Sequence, residues 1–589
     1  MAFAQQDPNA AVIPPRKETI IVTGTFEPVP LEEADRDVSA FQLTPAERLL
    51  VTTPFDLLRL DSSVDVMGRA PNGVQTDVSI RGGSFGQTLV LLNGLRFSDA
   101  QSGHHDFDIP LPLEIVDRVE VLKGAGSMFY GSDAVGGVVN VIPKIPKATE
   151  LRLRSALGNF GTNQESGVFS AVFPRISEEL SVSRDFSTGF LPDRDYRNLS
   201  LASSTHFSTP LGFTDLLLAT NDRPFGADQF YGDYPSWERT RGWFSSVRQE
   251  LGPQMEADFA YRRHTDLFDL FRDQPQVYEN RHADESEEAA FRRWDRIESN
   301  TRLYYGAEAL HESIASTNLG DHQRSRGAAY IAVDARALRR FSLTAGVREE
   351  VYGSGQTQLS PTVSGGAWVT HAIKLRASAS RAFRLPSFTD LYYHDPSTVG
   401  SPDLRPEKAW NYEGGLEWSP GRRFRADATV FQRREQDVID YIRSSPVDVW
   451  RATNFQRLNF TGVEGGFAWQ TASGQVIEAR YTAMRGAQDV IAGIQSRYVF
   501  NYPSQNAVLA YTGSLPGGFV ARTKAGGLKR YGRSPYALWD ASVAYTRGRA
   551  RPFLQFANLT NTQYQEIVGV PMPGRMVIGG LELVVFSRN

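Results

Sequence analysis

The 589-residue chain contains no cysteine. Disulfide frameworks, thiolate metal sites and cysteine nucleophiles are therefore excluded together. A chain of this length without cysteine suits an oxidising compartment that is reached unfolded. Histidine is scarce as well, at nine residues. No stretch approaches the ~18 apolar residues that a transmembrane helix needs, and the mean hydropathy is −0.34. That excludes a helical membrane protein but not a membrane barrel, whose strands alternate apolar-out and polar-in. A net charge of −4 leaves no basic field for nucleic acid. The spacings HExxH, GxSxG and GxxxxGK(S/T) do not occur. "GAGSMF" (124–129) is only a weak echo of a phosphate loop, without the final glycine or a βαβ context. No catalytic constellation, and hence no enzyme, is expected.

What is present is organised by texture. The length calls for several domains or one very large closed sheet. Residues 1–45 are polar and proline-rich, and read as mobile or extended around one β-branched stretch, "ETIIVTG" (18–24). The opening "MAFAQQ" has the small-x-small form of a cleavage site, read as a trimmed signal behind a start Met. From 45 to 145 the texture is mixed. "TPAERLL" offers a Thr N-cap and a Pro at the first helical position. "TDVSIRGG", "TLVLLNGLRF" and "VDRVEVLKG" read as strands, with Asn93-Gly94 as a two-residue hairpin turn. Beyond about 150 the period becomes two. Ile373, Leu375, Ala377 and Ala379 alternate with Lys374, Arg376, Ser378 and Ser380. "FRADATVF" (424–431) and "VIEARYTAMR" (476–485) repeat the pattern. A soluble sandwich would have to bury the charged face, whereas a wet, plugged barrel lumen accommodates it. Residues 149–589 divide into roughly 20 residues per strand-plus-loop for a 22-stranded barrel, the class with a plugged lumen.

Five ordered motifs carry a resemblance that covers nearly the whole chain. They are "ETIIVTG"; "VSIRGGSFGQTLVLLNGLRFSD"; "IVDRVEVLKGAGSMFYGSDAVGGVVNVIP"; "SRAFRLPSFTDLY" with "SPDLRPEKAWNYEGGLEW"; and "FANLTNTQYQEIVGVPMPGRMVIGGLEL". In order and spacing the chain resembles the TonB-dependent outer-membrane transporters. The resemblance implies a 22-stranded antiparallel transmembrane β-barrel with an N-terminal α/β plug in its lumen. It divides the chain into a mobile periplasmic segment (1–40) with the TonB box at 18–24, a plug (41–148) and the barrel (149–589). It further implies a monomer in the outer membrane of a Gram-negative bacterium, in contact with outer-membrane lipid. TonB, with ExbB and ExbD, would be the partner, a scarce nutrient the cargo, and no cofactor is implied. The apex loop "DAQSGHHDFDIPLP" and the stretches "FGADQFYGDYPSWERT" and "HTDLFDLFRDQPQVYENRH" look most like cobalamin-receptor members. A ferric siderophore or haem is the alternative cargo, and a surface receptor or adhesin the alternative class. Family members usually end on an aromatic residue. "VVFSRN" leaves Phe586 three residues short of that, which implies an atypical assembly signal or a tail beyond the last strand.

The site residues follow from this likeness. Thr19, Ile20, Ile21, Val22 and Thr23 would add as a strand to TonB, a task that suits β-branched residues. Arg81, Arg118 and Glu120 fall where the family places plug–barrel and intra-plug ion pairs, and form the expected latch. The plug apices supply the expected cargo contacts: Ser84, Phe85, Gln101, Ser102, His104, His105 and Asp106. Metal ligation by His104, His105 and Asp106 is not expected, because a mobile apex lacks the outer hydrogen-bond partners that a metal site needs. His394 in "LYYHDPST" stands where haem transporters place an axial ligand. Asp228 and Asp233 could hold Ca²⁺ in an outer loop. For both, a solvated loop residue is the simpler reading.

Overall fold

The computed structural model describes residues 20–26, 28–338, 340–488 and 493–588. Residues from Thr149 to Arg588 form a closed antiparallel barrel. Among the described residues it has 22 strands, beside two two-residue bridges at Thr398–Val399 and Gln495–Ser496. The first strand, Thr149–Gly158, pairs with the last, Met576–Arg588, so neither edge is left open. Phe586 sits opposite Leu151 within that closing pair. Strand lengths run from 8 residues (Ala550–Ala557) to 21 (Trp450–Gln470). A bilayer needs about 9–11 residues per strand, so the longest strands project well beyond it.

The period-two pattern explains the inside-out polarity. In Ile373–Arg384, Lys374, Arg376, Ser378 and Ser380 are buried in the lumen, while Leu375 is exposed. Thr429 against Val430, and Thr482 against Tyr481, repeat the rule. Apolar side chains face lipid, where no water needs excluding, and charges face the plug, where partners exist.

The plug fills the lumen. Its main sheet contains β3 (Val38–Gln42), β6 (Thr88–Leu92), β7 (Leu95–Arg96), β8 (Val116–Lys123) and β9 (Gly137–Pro143), following β1 (Ile20–Ile21) and β2 (Val29–Pro30) and flanking the separate pair β4 (Val64–Gly68) and β5 (Thr76–Ile80). The spatial order is β3-β8-β9-β6-β7, with only β6 and β9 parallel. The β6–β7 turn has Asn93 at φ 53° and Gly94 at φ 83°, the left-handed pair that a two-residue hairpin demands. Thr44 caps the short helix Pro45–Arg48 in a full capping box with Glu47. Val64, Val78, Val90, Val119 and Val139 form the plug core, and it meets small inward barrel residues such as Ala202, Ala219 and Ala260. Each fully buried branched side chain contributes about 1.5–3 kcal/mol.

The structure folds residues 20–26 and 28–40 onto the plug, where the sequence reading places a mobile segment. Ile21 is fully buried, and Asp35, Arg36 and Asp37 are buried between plug and barrel. The physical reason is that β1 pairs with β2, while the acids and Arg36 find partners on both sides.

Candidate functional site

Three constellations of the plug carry the candidate chemistry. The first is on the periplasmic segment. Thr19 lies outside the described residues, and Ile20 pairs through its backbone with Pro30. The N–H groups of Val22 and Thr23 donate to one carboxylate oxygen of Glu120, at 3.0 and 2.8 Å. The other Glu120 oxygen accepts from Arg118 Nε at 2.7 Å. Gly24 N–H donates to the Tyr130 hydroxyl at 3.0 Å, and Asn140 donates to Thr23 Oγ1 at 3.0 Å. Arg118 and Glu120 therefore work within the plug, gripping the N-terminal strand by its main chain. That grip uses the same backbone groups that a strand-adding partner would need.

The second constellation joins plug to barrel. Arg81 ends β5 at φ 51°, a conformation uncommon outside glycine. Its guanidinium donates to Glu464 at 2.7 and 3.0 Å, to Glu413 at 2.8 Å and to Asp37 at 2.9 Å. It also lies over the Phe431 ring, 4.6 Å from the centroid. Lys123 bridges Asp61, Asp37 and Glu464 at 3.1–3.5 Å. Burial works against the charge on Asp37, but Arg376, Lys123 and Arg81 outweigh it and hold the carboxyl well below its usual range. Asp61 is lowered in the same way, by Lys123 and Arg480 against burial. Arg81 is thus the expected latch residue that reaches the barrel; Arg118 and Glu120 do not.

The third is the extracellular apex. Ser84, Phe85, Gln101, Ser102, His104 and His105 line one cavity of about 410 Å³ between the plug apices and the barrel loops. Gly103 allows the two apices to touch, since a Cβ there would meet Phe85 Cδ2 at 2.8 Å. His104 stacks on Phe85 with centroids 4.2 Å apart, and Tyr498 stands edge-on to Phe85 at 5.2 Å. His104 Nδ1 lies 2.9 Å from Asp77, which Arg69 also holds. Burial outweighs Asp77 and lowers the His104 pKa.

The apex is a built structure. Asp99 Oδ1 accepts the N–H groups of Gln101 and Ser102, and Asp106 Oδ1 accepts that of Asp99 at 2.6 Å. Asp106 does not line the cavity. It is turned inward, and burial raises its pKa well above the ordinary value. His105 points toward the barrel wall, where its ring stands 4.8 Å from that of His264. Burial opposes its charge, but the Asp266 carboxylate pushes its pKa up to about 9.

The sequence reading did not single out Glu238, His264, Asp266, His282 and Tyr498. Of these, Glu238, Asp266, His282 and Tyr498 line the cavity, and His264 sits behind His105. A signal existed, because "HTDLFDLFRDQPQVYENRH" begins at His264 and ends at His282. His394 is exposed and does not line the cavity. Among the described residues, Asp228 and Asp233 join no cluster with metal-ligand spacing.

A closed lipid-facing barrel, a plug with a gripped N-terminal strand and a cavity at the opposite end define a gated outer-membrane transport protein. The family descriptions agree. "TonB-dependent Receptor Plug Domain" matches residues 30–138, and "TonB dependent receptor-like, beta-barrel" matches 148–561. The chain belongs to the TonB-dependent receptor family. It is an outer-membrane transporter and not an enzyme, with TonB as partner and a small molecule as cargo. It is 23% identical to "Vitamin B12 transporter BtuB" of Vibrio vulnificus (strain CMCP6), over 96% of this chain and 95% of that one. The "Iron-regulated outer membrane virulence protein" of Vibrio cholerae (strain ATCC 39541 / Classical Ogawa 395 / O395) is 25% identical, over 78% and 76%. Among solved structures, the FrpB iron transporter from Neisseria meningitidis (F5-1 variant) superposes with a TM-score of 0.78. That match has 15% identity and covers 94% of this chain and 100% of that one.

Proposed function

We propose that the chain imports cobalamin or a related corrinoid. The observation that carries this reading is the end-to-end likeness to vitamin B12 transporters, through plug and barrel alike. The cavity chemistry supports it. Among the described residues, the five carboxyl groups of Glu238, Asp266, Asp390, Asp395 and Asp440 line the cavity with three cationic groups, Arg384, Arg497 and His105. An anionic ferric siderophore would meet net repulsion there, whereas a neutral corrinoid would not. Phe85, Phe268, Tyr231, Tyr393, Tyr441 and Tyr498 offer flat apolar faces with polar tips, suited to a large ring fringed with amides.

Transport runs from that cavity to the N-terminal strand. Cargo on the apex shifts the plug ensemble and frees Val22 and Thr23 from Glu120. TonB, energised through ExbB and ExbD, takes them as an added strand and pulls the plug aside. The chain acts as a monomer in this scheme.

The test is calorimetric titration of the purified full chain with cyanocobalamin, haem and ferric siderophores. Tight binding of cyanocobalamin alone is expected. Preference for haem or a siderophore overturns the corrinoid reading. Deleting residues 18–24 should abolish uptake and leave surface binding intact. Uptake that survives the deletion would point to a receptor or adhesin with another route of entry.

A further inference from the structure

Behind the cavity, three buried ligand atoms converge without a hydrogen-bond partner: His105 Nδ1, Asp108 Oδ2 and His264 Nε2. They lie within 4.8 Å of one another. His264 Nε2 is 3.5 Å from Asp108 Oδ2, and His105 Nδ1 is 3.9 Å from it. Ligands bonded to one tetrahedral Zn²⁺ at 2.0–2.2 Å stand about 3.4 Å apart. The two imidazole–carboxylate separations are therefore within about 0.5 Å of that value. An orphaned buried donor or acceptor costs about 1–3 kcal/mol, so three at one point require an explanation.

The remaining polar atom of each side chain faces an oppositely charged group. The second nitrogen of His264 faces Asp99 at 3.1 Å and Asp284 at 3.4 Å. The second nitrogen of His105 faces Asp266 at 3.6 Å. Asp108 Oδ1 accepts from Arg223 at 2.6 Å, which leaves Oδ2 to face the two imidazoles. A carboxylate behind each imidazole is the arrangement that orients metal-ligating histidines and raises their basicity. The apex thus has the outer partners that the sequence reading held to be missing.

Charge points the same way. Asp99, Asp108, Asp266 and Asp284 face two guanidiniums, Arg262 and Arg223, which leaves two negative charges over. Glu238, bonded to the Tyr231 hydroxyl, and His282, bonded to Ser316, flank the cavity side. One divalent cation balances that excess.

We propose that His105, Asp108 and His264 form a binding site for a divalent transition-metal ion of the zinc type. Two imidazoles and one carboxylate select such an ion over Ca²⁺, which takes oxygen ligands only. His105 and Asp108 belong to the plug and His264 to the barrel strand Met255–Asp269, so the ion pins the apex to the barrel wall. The cavity that His105 lines gives the ion its entry path.

The test uses the full chain in detergent, stripped with a chelator and titrated with Co²⁺ and then Zn²⁺ at neutral pH. One equivalent of Co²⁺ should bind with proton release and a visible four-coordinate absorption, and Zn²⁺ should displace it. His105→Gln and His264→Gln should each weaken binding by more than about 100-fold, beyond the 10–100-fold cost of losing an outer partner. His104→Gln should leave it unchanged. Heat-modifiable gel migration shows that each variant keeps its barrel. The zinc K-edge spectrum of the unaltered chain, which needs no variant, should show two imidazole nitrogens. No stoichiometric binding, full binding in either glutamine variant, or an all-oxygen shell would overturn the proposal.

Discussion

Glu120 accepts two main-chain N–H groups of the N-terminal strand, and Glu120→Gln tests how far that carboxylate holds the strand docked. Two main-chain N–H groups, of Val22 and Thr23, end on one oxygen of this fully buried side chain. A hydrogen bond to a charged group contributes about 1.5–3 kcal/mol and a neutral one about 0.5–1.5, so neutralising the acceptor costs about 1 kcal/mol per bond. Two bonds give about 2 kcal/mol, or about 30-fold in the docking equilibrium at 1.4 kcal/mol per decade. Where docking hides the strand, apparent affinity for its partner scales with the undocked fraction. The periplasmic domain of TonB should therefore bind cargo-free Glu120→Gln up to about 30-fold more tightly than the parent chain, as read by calorimetry. Tyr130→Phe removes one neutral acceptor, from Gly24 N–H, and should give about fivefold at about 1 kcal/mol. An affinity within twofold of the parent for both variants would refute the argument and mean that docking is set elsewhere.

Arg81→Met removes the guanidinium shared by Glu464, Glu413 and Asp37, and buried charges left without a partner cost about 3–5 kcal/mol. Lys123, Arg36 and Arg376 remain, so the lower end is expected, seen as a lower urea midpoint for the plug and entry of large antibiotics. Acid gives an independent check on the same latch. Asp37 and Asp61 have folded pKa values below the unfolded one, so their contribution is complete above about pH 3.9 and disappears as pH falls through the folded values. The drop in urea midpoint caused by Arg81→Met should therefore be the same at pH 7 and pH 5 and shrink only in stronger acid; loss of that difference at pH 5 would contradict the assignment. At the cavity, Tyr498→Ala removes the edge contact to Phe85 and should weaken cyanocobalamin binding about tenfold, while Trp539→Ala on the lipid face should not change it.

Much of this protein was legible because barrel strands obey a strict local rule. The alternation through Ile373–Arg384 states which side chains meet lipid and which meet the plug, since a pleated strand has no third direction to offer. Turn chemistry at Asn93-Gly94 and the Thr44 cap are local in the same sense. The plug motifs located Arg81, Glu120 and the His104–His105 apex by order along the chain. Which partner each one meets was not local. Glu120 reaches 98 residues back to Val22, and Arg81 reaches 383 residues ahead to Glu464. His105 acquires its character from His264 and Asp266, which arrive on a barrel strand more than a hundred residues away. By itself the sequence determined the alternation, the turns and the family, because those depend on neighbours along the chain. Only the tertiary structure decided that Glu120, held by Arg118, grips the N-terminal strand, and that His104 stacks on Phe85 while His105 stands against His264 of the barrel wall. It did so because inserting the plug into the closed barrel brings charges from distant segments within bonding distance, and no local pattern encodes that pairing.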